Sequence, residues 1–256
     1  MTDRSRNSSE QTSSSATSSQ LAGRIMVALD YDTAAQAEEL IVSLHGIPCY
    51  MKVGMQLYFA EGPSFIERLK RDGYKVFVDL KLHDIPNTVK GGAKSLTAVG
   101  ADMFNVHAGG GVRMMEAALE GVTMAKSAGQ ASPLVIAVTQ LTSTNTAMMN
   151  DEIGIPGSVE DAVIRYARLA KGAGLQGVVS SPWEAQSIKE ACGASFVTVT
   201  PGIRPAGSSA DDQARIMTPG EALGGGSDYI VIGRPITAQA NPRNALETIL
   251  KELENL

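Results

Sequence analysis

The sequence predicts an α/β protein, a single-domain (β/α)8 TIM barrel, and three observations carry that expectation. A short apolar, largely β-branched run followed by a helical pattern recurs eight times after Arg24. So even a repeat suits a closed parallel barrel better than an open doubly wound sheet. Asp30, Lys52, Asp79, Lys81, Thr142, Arg204 and the pair Gly233-Arg234 fall at or just past the carboxyl ends of the expected strands, where such barrels build their sites. With 256 residues and 43% hydrophobic content, the chain can bury a full core without staples.

Each unit has its own punctuation. The first strand, Ile25 to Leu29, ends at Asp30; Thr33 caps a helix with Ala37, Leu40, Ile41 and Leu44 at helical spacing, stopped by Gly46. The second strand, Cys49 to Val53, carries Lys52. Pro63 then opens a helix with Phe65, Ile66 and Leu69 on one face, ended by Gly73. The third strand runs from Lys75 to Leu80, and Pro86 starts a helix bearing Val89, Ala93, Leu96 and Val99 before Gly100. Met103 to His107 is the fourth strand, followed by Gly109 to Gly111 and a helix with Val112, Met115, Leu119 and Val122. Leu134 to Val138 is the fifth, and its hydroxyl-rich continuation, Thr139 to Thr144, reads as a site loop rather than core. Ser158 caps the next helix, with Ala162, Val163, Tyr166 and Leu169 as its apolar face. Gly177 to Val179, Phe196 to Val199 and Tyr229 to Ile232 complete the strands. Trp183 heads one intervening helix as a packing residue, and Asn241-Pro242 opens the last, buried through Ala245, Ile249 and Leu250.

Composition excludes several function classes. A net charge of −5 without a basic run argues against nucleic acid as a partner. No stretch approaches the roughly 18 apolar residues of a membrane span, so no membrane partner is expected. Cys49 and Cys192 stand far apart without metal-ligand spacing, which speaks against a disulfide framework or structural zinc and fits a reducing, cytoplasmic location. Residues 1–22 are expected to form a disordered Ser-rich tail ahead of a catalytic barrel over 23–256. Arg4 and Arg6 among serines leave a transit peptide as the rival reading, weakened by Asp3 and Glu10.

Two places carry chemistry. Strand alternation puts Asp79 and Lys81 on one face and Leu80 and Leu82 on the other. Charges at the end of a strand covered on both sides are either a buried ion pair of little stabilising value or part of a site. The loops after strands seven and eight, Pro201-Gly202-Ile203-Arg204-Pro205 and Gly233-Arg234-Pro235, each offer flexible backbone and a guanidinium fork suited to phosphate. The small, polar segment from Ala206 to Met217, with Gln213, suits a lid. His107 either faces the mouth or is a hydrogen-bonded structural histidine; His45 reads as a surface residue at a helix end.

The run Asp79-Leu80-Lys81-Leu82-His83-Asp84-Ile85-Pro86-Asn87-Thr88, with Pro201-Gly202-Ile203-Arg204 and Ile232-Gly233-Arg234, resembles orotidine 5′-phosphate decarboxylase of the bacterial type from about Arg24 onward. The shorter Asp-x-Lys-x-x-Asp core is shared with related sugar-phosphate barrels, which use the same residues around Mg2+. A catalytically silent nucleotide-binding barrel is a further alternative. The resemblance implies decarboxylation of orotidine monophosphate to UMP without metal or organic cofactor. It makes Lys81 the acid that protonates C6, beside Asp79 and Lys52, with Asp84 entering from the partner of a homodimer. It assigns the ribose to Asp30, Lys52 and the partner's Thr88, the pyrimidine to Thr142 and Ser143, and the phosphate to Gln213, Gly233, Arg234 and Arg204.

Overall fold

A computed structural model describes residues 18–126, 131–205 and 217–255. Eight parallel strands close into a barrel in sequence order: β1 (Ile25–Leu29), β2 (Tyr50–Gly54), β3 (Lys75–Leu82), β4 (Met103–His107), β5 (Leu134–Val138), β6 (Gly177–Val179), β7 (Val197–Thr200) and β8 (Tyr229–Ile232). Around them lie α1 (Ala34–Ser43), α2 (Met55–Glu61), α3 (Pro63–Arg71), α4 (Pro86–Ala98), α5 (Val112–Ala125), α6 (Val159–Gly172), α7 (Ala185–Cys192), α8 (Pro219–Gly224), α9 (Arg234–Thr237) and α10 (Pro242–Glu254). The (β/α)8 expectation holds. The second and seventh strands start one residue later than expected. The third runs on to Leu82, because Leu82 pairs with Val106 of β4 beyond the charged residues.

The caps form as their residue types dictate. The Thr33 hydroxyl accepts the Gln36 N–H while the Gln36 side chain accepts the Thr33 N–H, and the Ser158 hydroxyl accepts from the Asp161 N–H. Three short helices, α2, α8 and α9, and a π-helical turn at Met148–Glu152 were not foreseen. Each is too short to display a 3.6-residue period.

Side chains alternate between two cores. Met26, Ala28, Tyr50, Phe77, Met103, Ile136, Val199 and Val231 fill the barrel interior, whereas Ile25, Val27, Met51, Val76, Phe104 and Val135 pack outward against the helices. The same alternation aims Lys52, Asp79, Asn105 and His107 inward at the carboxyl ends.

The opposite end is clamped by a repeated device. Asp102, just before β4, accepts the Val76 N–H at the start of β3 at 2.7 Å and the Lys70 Nζ at 2.5 Å. Four strands later Asp228, just before β8, accepts the Thr198 N–H of β7 at 2.7 Å and the Lys189 Nζ at 2.5 Å. Gln176, before β6, uses its side-chain oxygen on the Val135 N–H of β5 in the same way, without a cation. These acceptors satisfy N–H groups that begin a strand.

Five expectations need correction. Trp183 is 60% exposed in a short helical turn over Pro182–Glu184, and Leu169 lies at the solvent edge of α6; neither is core. Leu246, not Ala245, carries the buried face of α10. In the loop after β5, Thr139, Gln140 and Thr144 are buried despite their polarity, with the Thr139 hydroxyl donating to the Val179 carbonyl at 2.9 Å. Residues 18–22, assigned to the tail, form a helical turn whose Ala22 is buried in the outer core, while residues 1–17 lie outside the described residues. Cys49 and Cys192 are both buried and unpaired with each other, and among the described residues no helix is long and apolar enough to cross a membrane.

Candidate active site

The barrel's mouth opens into a cavity of about 500 Å³ lined by Asp30, Lys52, Asp79, Lys81, Thr142, Ser143, Arg204, Gly233 and Arg234, together with apolar Ala28, Phe77, Val138 and Val231. Seven of the strands or the loops after them contribute to it, β6 through Val179 and Ser180, so residues as far apart in sequence as Ala28 and Thr237 meet in one pocket only because the sheet closes. Of the expected residues, Asp84 and Thr88 do not line it; both are exposed on the segment after β3. Gln213 lies outside the described residues. The ends of the expected lid are joined, because the Arg204 N–H donates to the Met217 carbonyl at 3.0 Å.

At the floor is an alternating row of charges. Lys52, 8% exposed, sets its Nζ 3.1 Å from Asp30 Oδ1 and 3.7 Å from Asp79 Oδ2. Lys81 Nζ lies 2.7 Å from Asp79 Oδ1. Burial on its own would push the Asp79 carboxyl up, but Lys52 and Lys81, with hydrogen bonds from Lys81 and Asn105, hold it below the usual carboxylate range. Asp79 is therefore an anion at neutral pH, flanked by two ammonium groups.

Lys81 reaches this place with a φ of 53°, the single non-glycine positive φ among the described residues. An L side chain in the left-handed region costs roughly 1–2 kcal/mol. The expectation that Asp79 and Lys81 share a face holds in outcome, but an irregular register between Val78 and Leu82 achieves it rather than a regular strand. Sequence reasoning missed Asn105. This fully buried residue donates Nδ2 to Asp79 Oδ1 at 2.7 Å and accepts the Lys81 N–H on Oδ1, also at 2.7 Å. Its one signal was a polar amide at an inward position of an otherwise apolar strand.

His107 follows the structural reading and does not line the cavity. Its Nδ1 accepts the Gly109 N–H at 3.1 Å, and its ring stacks on His83 with centroids 5.2 Å apart and planes 12° from parallel. Burial, then the charges of His83 and Lys81, push its pKa down, so the ring is neutral at pH 7. Arg204 is 7% exposed; its Nη1 donates to the Ile203 carbonyl at 3.0 Å, and its buried Nε has no hydrogen-bond partner among the described residues. A buried guanidinium with a spare donor at a cavity wall is equipped to meet an anion.

Comparison with known proteins agrees with this construction. Orotidine 5′-phosphate decarboxylase from Bacillus anthracis is 49% identical over 232 residues, covering 91% of this chain and 98% of its own. A crystal structure of orotidine 5′-phosphate decarboxylase from Lactobacillus acidophilus superposes with a TM-score of 0.80 at 40% identity, covering 90% of this chain and 98% of that one. A conserved protein from Geobacillus kaustophilus matches with the same TM-score at 46% identity, covering 90% and 99%. The family model described as orotidine 5′-phosphate decarboxylase / HUMPS matches residues 23–249, which with the closed barrel and the charged row at its mouth makes this chain an enzyme of that family.

Proposed function

We propose that this chain converts orotidine 5′-monophosphate to UMP and CO2 in pyrimidine synthesis, using its own side chains and no cofactor, with Lys81 protonating C6. The observation that carries the reading is the row Asp30, Lys52, Asp79 and Lys81, which holds an ammonium at 2.7 Å from a largely enclosed carboxylate within a nucleotide-sized cavity. The names of the relatives support the substrate.

The chemistry requires such an array. Loss of CO2 from C6 leaves an electron pair in the ring plane, out of reach of the π-system, so fixed positive charge nearby must stabilise it. Lys81 supplies that charge and then the proton, which passes from its Nζ to C6 as the carbon–hydrogen bond forms. One ammonium about 4 Å from a unit negative charge contributes roughly 4 kcal/mol at an effective dielectric of 20, while large enzymatic accelerations need on the order of 23 kcal/mol. The difference is supplied by holding the remote phosphate and ribose, so that binding energy fixes the ring against the charges. Arg204, Arg234, Gly233 and Gln213 take the phosphate in this reading, Asp30 and Lys52 the ribose, and Thr142 and Ser143 the pyrimidine.

Asp84 and Thr88 act in the partner's site of a homodimer. Their exposure supports this, as does the apolar rim of Met55, Phe59, Ile85, Leu141, Ile153 and Trp183, each exposed on a segment that follows a strand's carboxyl end. A metal-dependent sugar-phosphate reaction is the competing chemistry within the family. Loss of orotate absorbance when the purified protein meets orotidine monophosphate in EDTA is the expected result. Turnover of a pentulose or hexulose phosphate that EDTA abolishes would overturn the proposal.

A further inference from the structure

The irregular stretch of β3 has an unusual partner. Val78 pairs with Phe104 and Leu82 with Val106, so Asp79, Leu80 and Lys81 all stand opposite Asn105 alone. Regular pairing cannot serve three residues with one, and the backbone there must find other acceptors. Asn105 supplies one from its side chain. Its Oδ1 accepts the Lys81 N–H, its Nδ2 donates to Asp79 Oδ1, and Asp79 Oδ1 also accepts from Lys81 Nζ, each at 2.7 Å. The three residues thus form a closed ring of hydrogen bonds. Only one orientation of the amide fits, since an N–H must meet an oxygen and a carboxylate must meet the NH2.

We infer that Asn105 is a positioning residue for the reaction: it holds the Lys81 backbone in its left-handed conformation and pins Asp79, so that the Lys81 ammonium is presented at one fixed point. This rests on the decarboxylase reading and deepens it. Asn105 does not line the cavity and is fully buried behind the pair, so it acts through Lys81 and Asp79 rather than on the substrate. An apolar residue of the same shape would leave the Lys81 N–H without its acceptor and Asp79 with one donor fewer. The lysine would then be free to relax toward ordinary φ, and its Nζ would move. Misplacement of a catalytic group by about 1 Å costs on the order of 100-fold in rate.

The test compares the wild type with Asn105→Leu and Asn105→Asp, measuring kcat and KM for orotidine monophosphate, affinity for UMP and thermal melting. For Asn105→Leu we expect kcat to fall about 100-fold while UMP affinity stays within about threefold, since the phosphate and ribose contacts are untouched. A purely structural residue would lower the melting temperature and leave kcat of the folded enzyme intact, and that result would overturn the inference. Asn105→Asp keeps an acceptor for Lys81 and sets a second carboxyl against Asp79. The charged and titratable groups around that pair are Lys52 and Asp30 on the β1–β2 side, Lys81 on β3, and His107 with His83 beside it. When the introduced carboxyl takes up a proton it regains the donor that the amide had. Its kcat should therefore be low at pH 8 and recover as the pH falls toward 5, a slope the wild type lacks; parallel pH profiles would sink the idea even if Asn105→Leu failed to fold. Wild-type protein without decarboxylase activity would instead remove the reading on which the inference rests, so the two failures are distinct.

Discussion

At Lys81 the backbone is held in a conformation that any residue with a Cβ resists, and the lysine at that point is the one on which the proposed chemistry turns. Strain of this kind separates stability from activity. Lys81→Ala and Lys81→Gly should both lose turnover by about 1000-fold or more while still binding UMP. The glycine variant, free of the left-handed penalty, should nevertheless be more stable than the alanine variant by about 1 kcal/mol in urea denaturation. Equal stability of the two would show the φ to be unstrained. Asp79 provides a pH prediction at the same scale. Its folded pKa lies below its unfolded value, so the stability it contributes is present above about pH 4 and is lost as the pH falls through the lower folded pKa. Acid melting curves should accordingly lose a component below pH 4 in Asp79→Asn relative to wild type. The Asp-x-Lys spacing made both residues legible in the sequence, because strand alternation predicts one face for them, although the irregular register between Val78 and Leu82 is what brings them together. Asn105 and the positive φ were not legible: a single amide acquires meaning only once a neighbouring strand is known to carry two residues too many opposite it.

Packing between elements sets different demands. A Cβ built on Gly121 of α5 would lie 2.2 Å from the Lys90 carbonyl of α4 and 3.0 Å from the Lys94 nitrogen, so the two helices approach closely only because that side chain is absent. Gly121→Ala must push backbone apart and should cost about 1–3 kcal/mol, seen as a lower melting temperature. Gly91 on α4 has nothing within 4 Å of the same built atom, and Gly91→Ala should stabilise by roughly 0.5–1 kcal/mol through helix propensity. The clamps at the closed end make a parallel case. Asp102→Asn keeps an acceptor for the Val76 N–H and should cost little, whereas Asp102→Leu leaves that donor and Lys70 without their partner and should cost about 1–3 kcal/mol. Long helices with caps, such as α1 behind Thr33 and α6 behind Ser158, could be read from the sequence because cap and apolar period agree. The turns α2, α8 and α9 could not, since seven residues or fewer show no period, and the buried Thr139 of the loop after β5 defeated composition because its hydroxyl bonds to the Val179 carbonyl of β6.

For the molecule as a whole, eight strand-helix units are countable in the sequence, and the convergence of their polar ends follows from closure alone. Asp84 and Thr88, which the homodimer proposal assigns to a partner's site, are exposed on the segment after β3 and do not line the cavity of their own chain. If they serve a partner, Lys81→Ala and Asp84→Ala should each be inactive alone but recover about a quarter of wild-type sites when mixed and allowed to exchange subunits, since half the dimers are mixed and each of those holds one intact site. Absence of recovery from two inactive variants, with exchange verified, would place Asp84 in the site of its own subunit, and an active Asp84→Ala would place it outside catalysis. Arg234→Ala should chiefly weaken binding of phosphorylated ligands, read as a loss of UMP affinity with little change for uridine.

The two cation-bearing clamps also bear on how the chain comes apart. Lys70, Val76 and Asp102 all precede the connection between α5 and β5, and Lys189, Thr198 and Asp228 all follow it. A cut in that connection would thus give two fragments of four strands apiece, each retaining its own bolt, and co-expressed fragments should reassemble there more readily than fragments severed between β3 and β4, where Asp102 is divorced from both groups it holds.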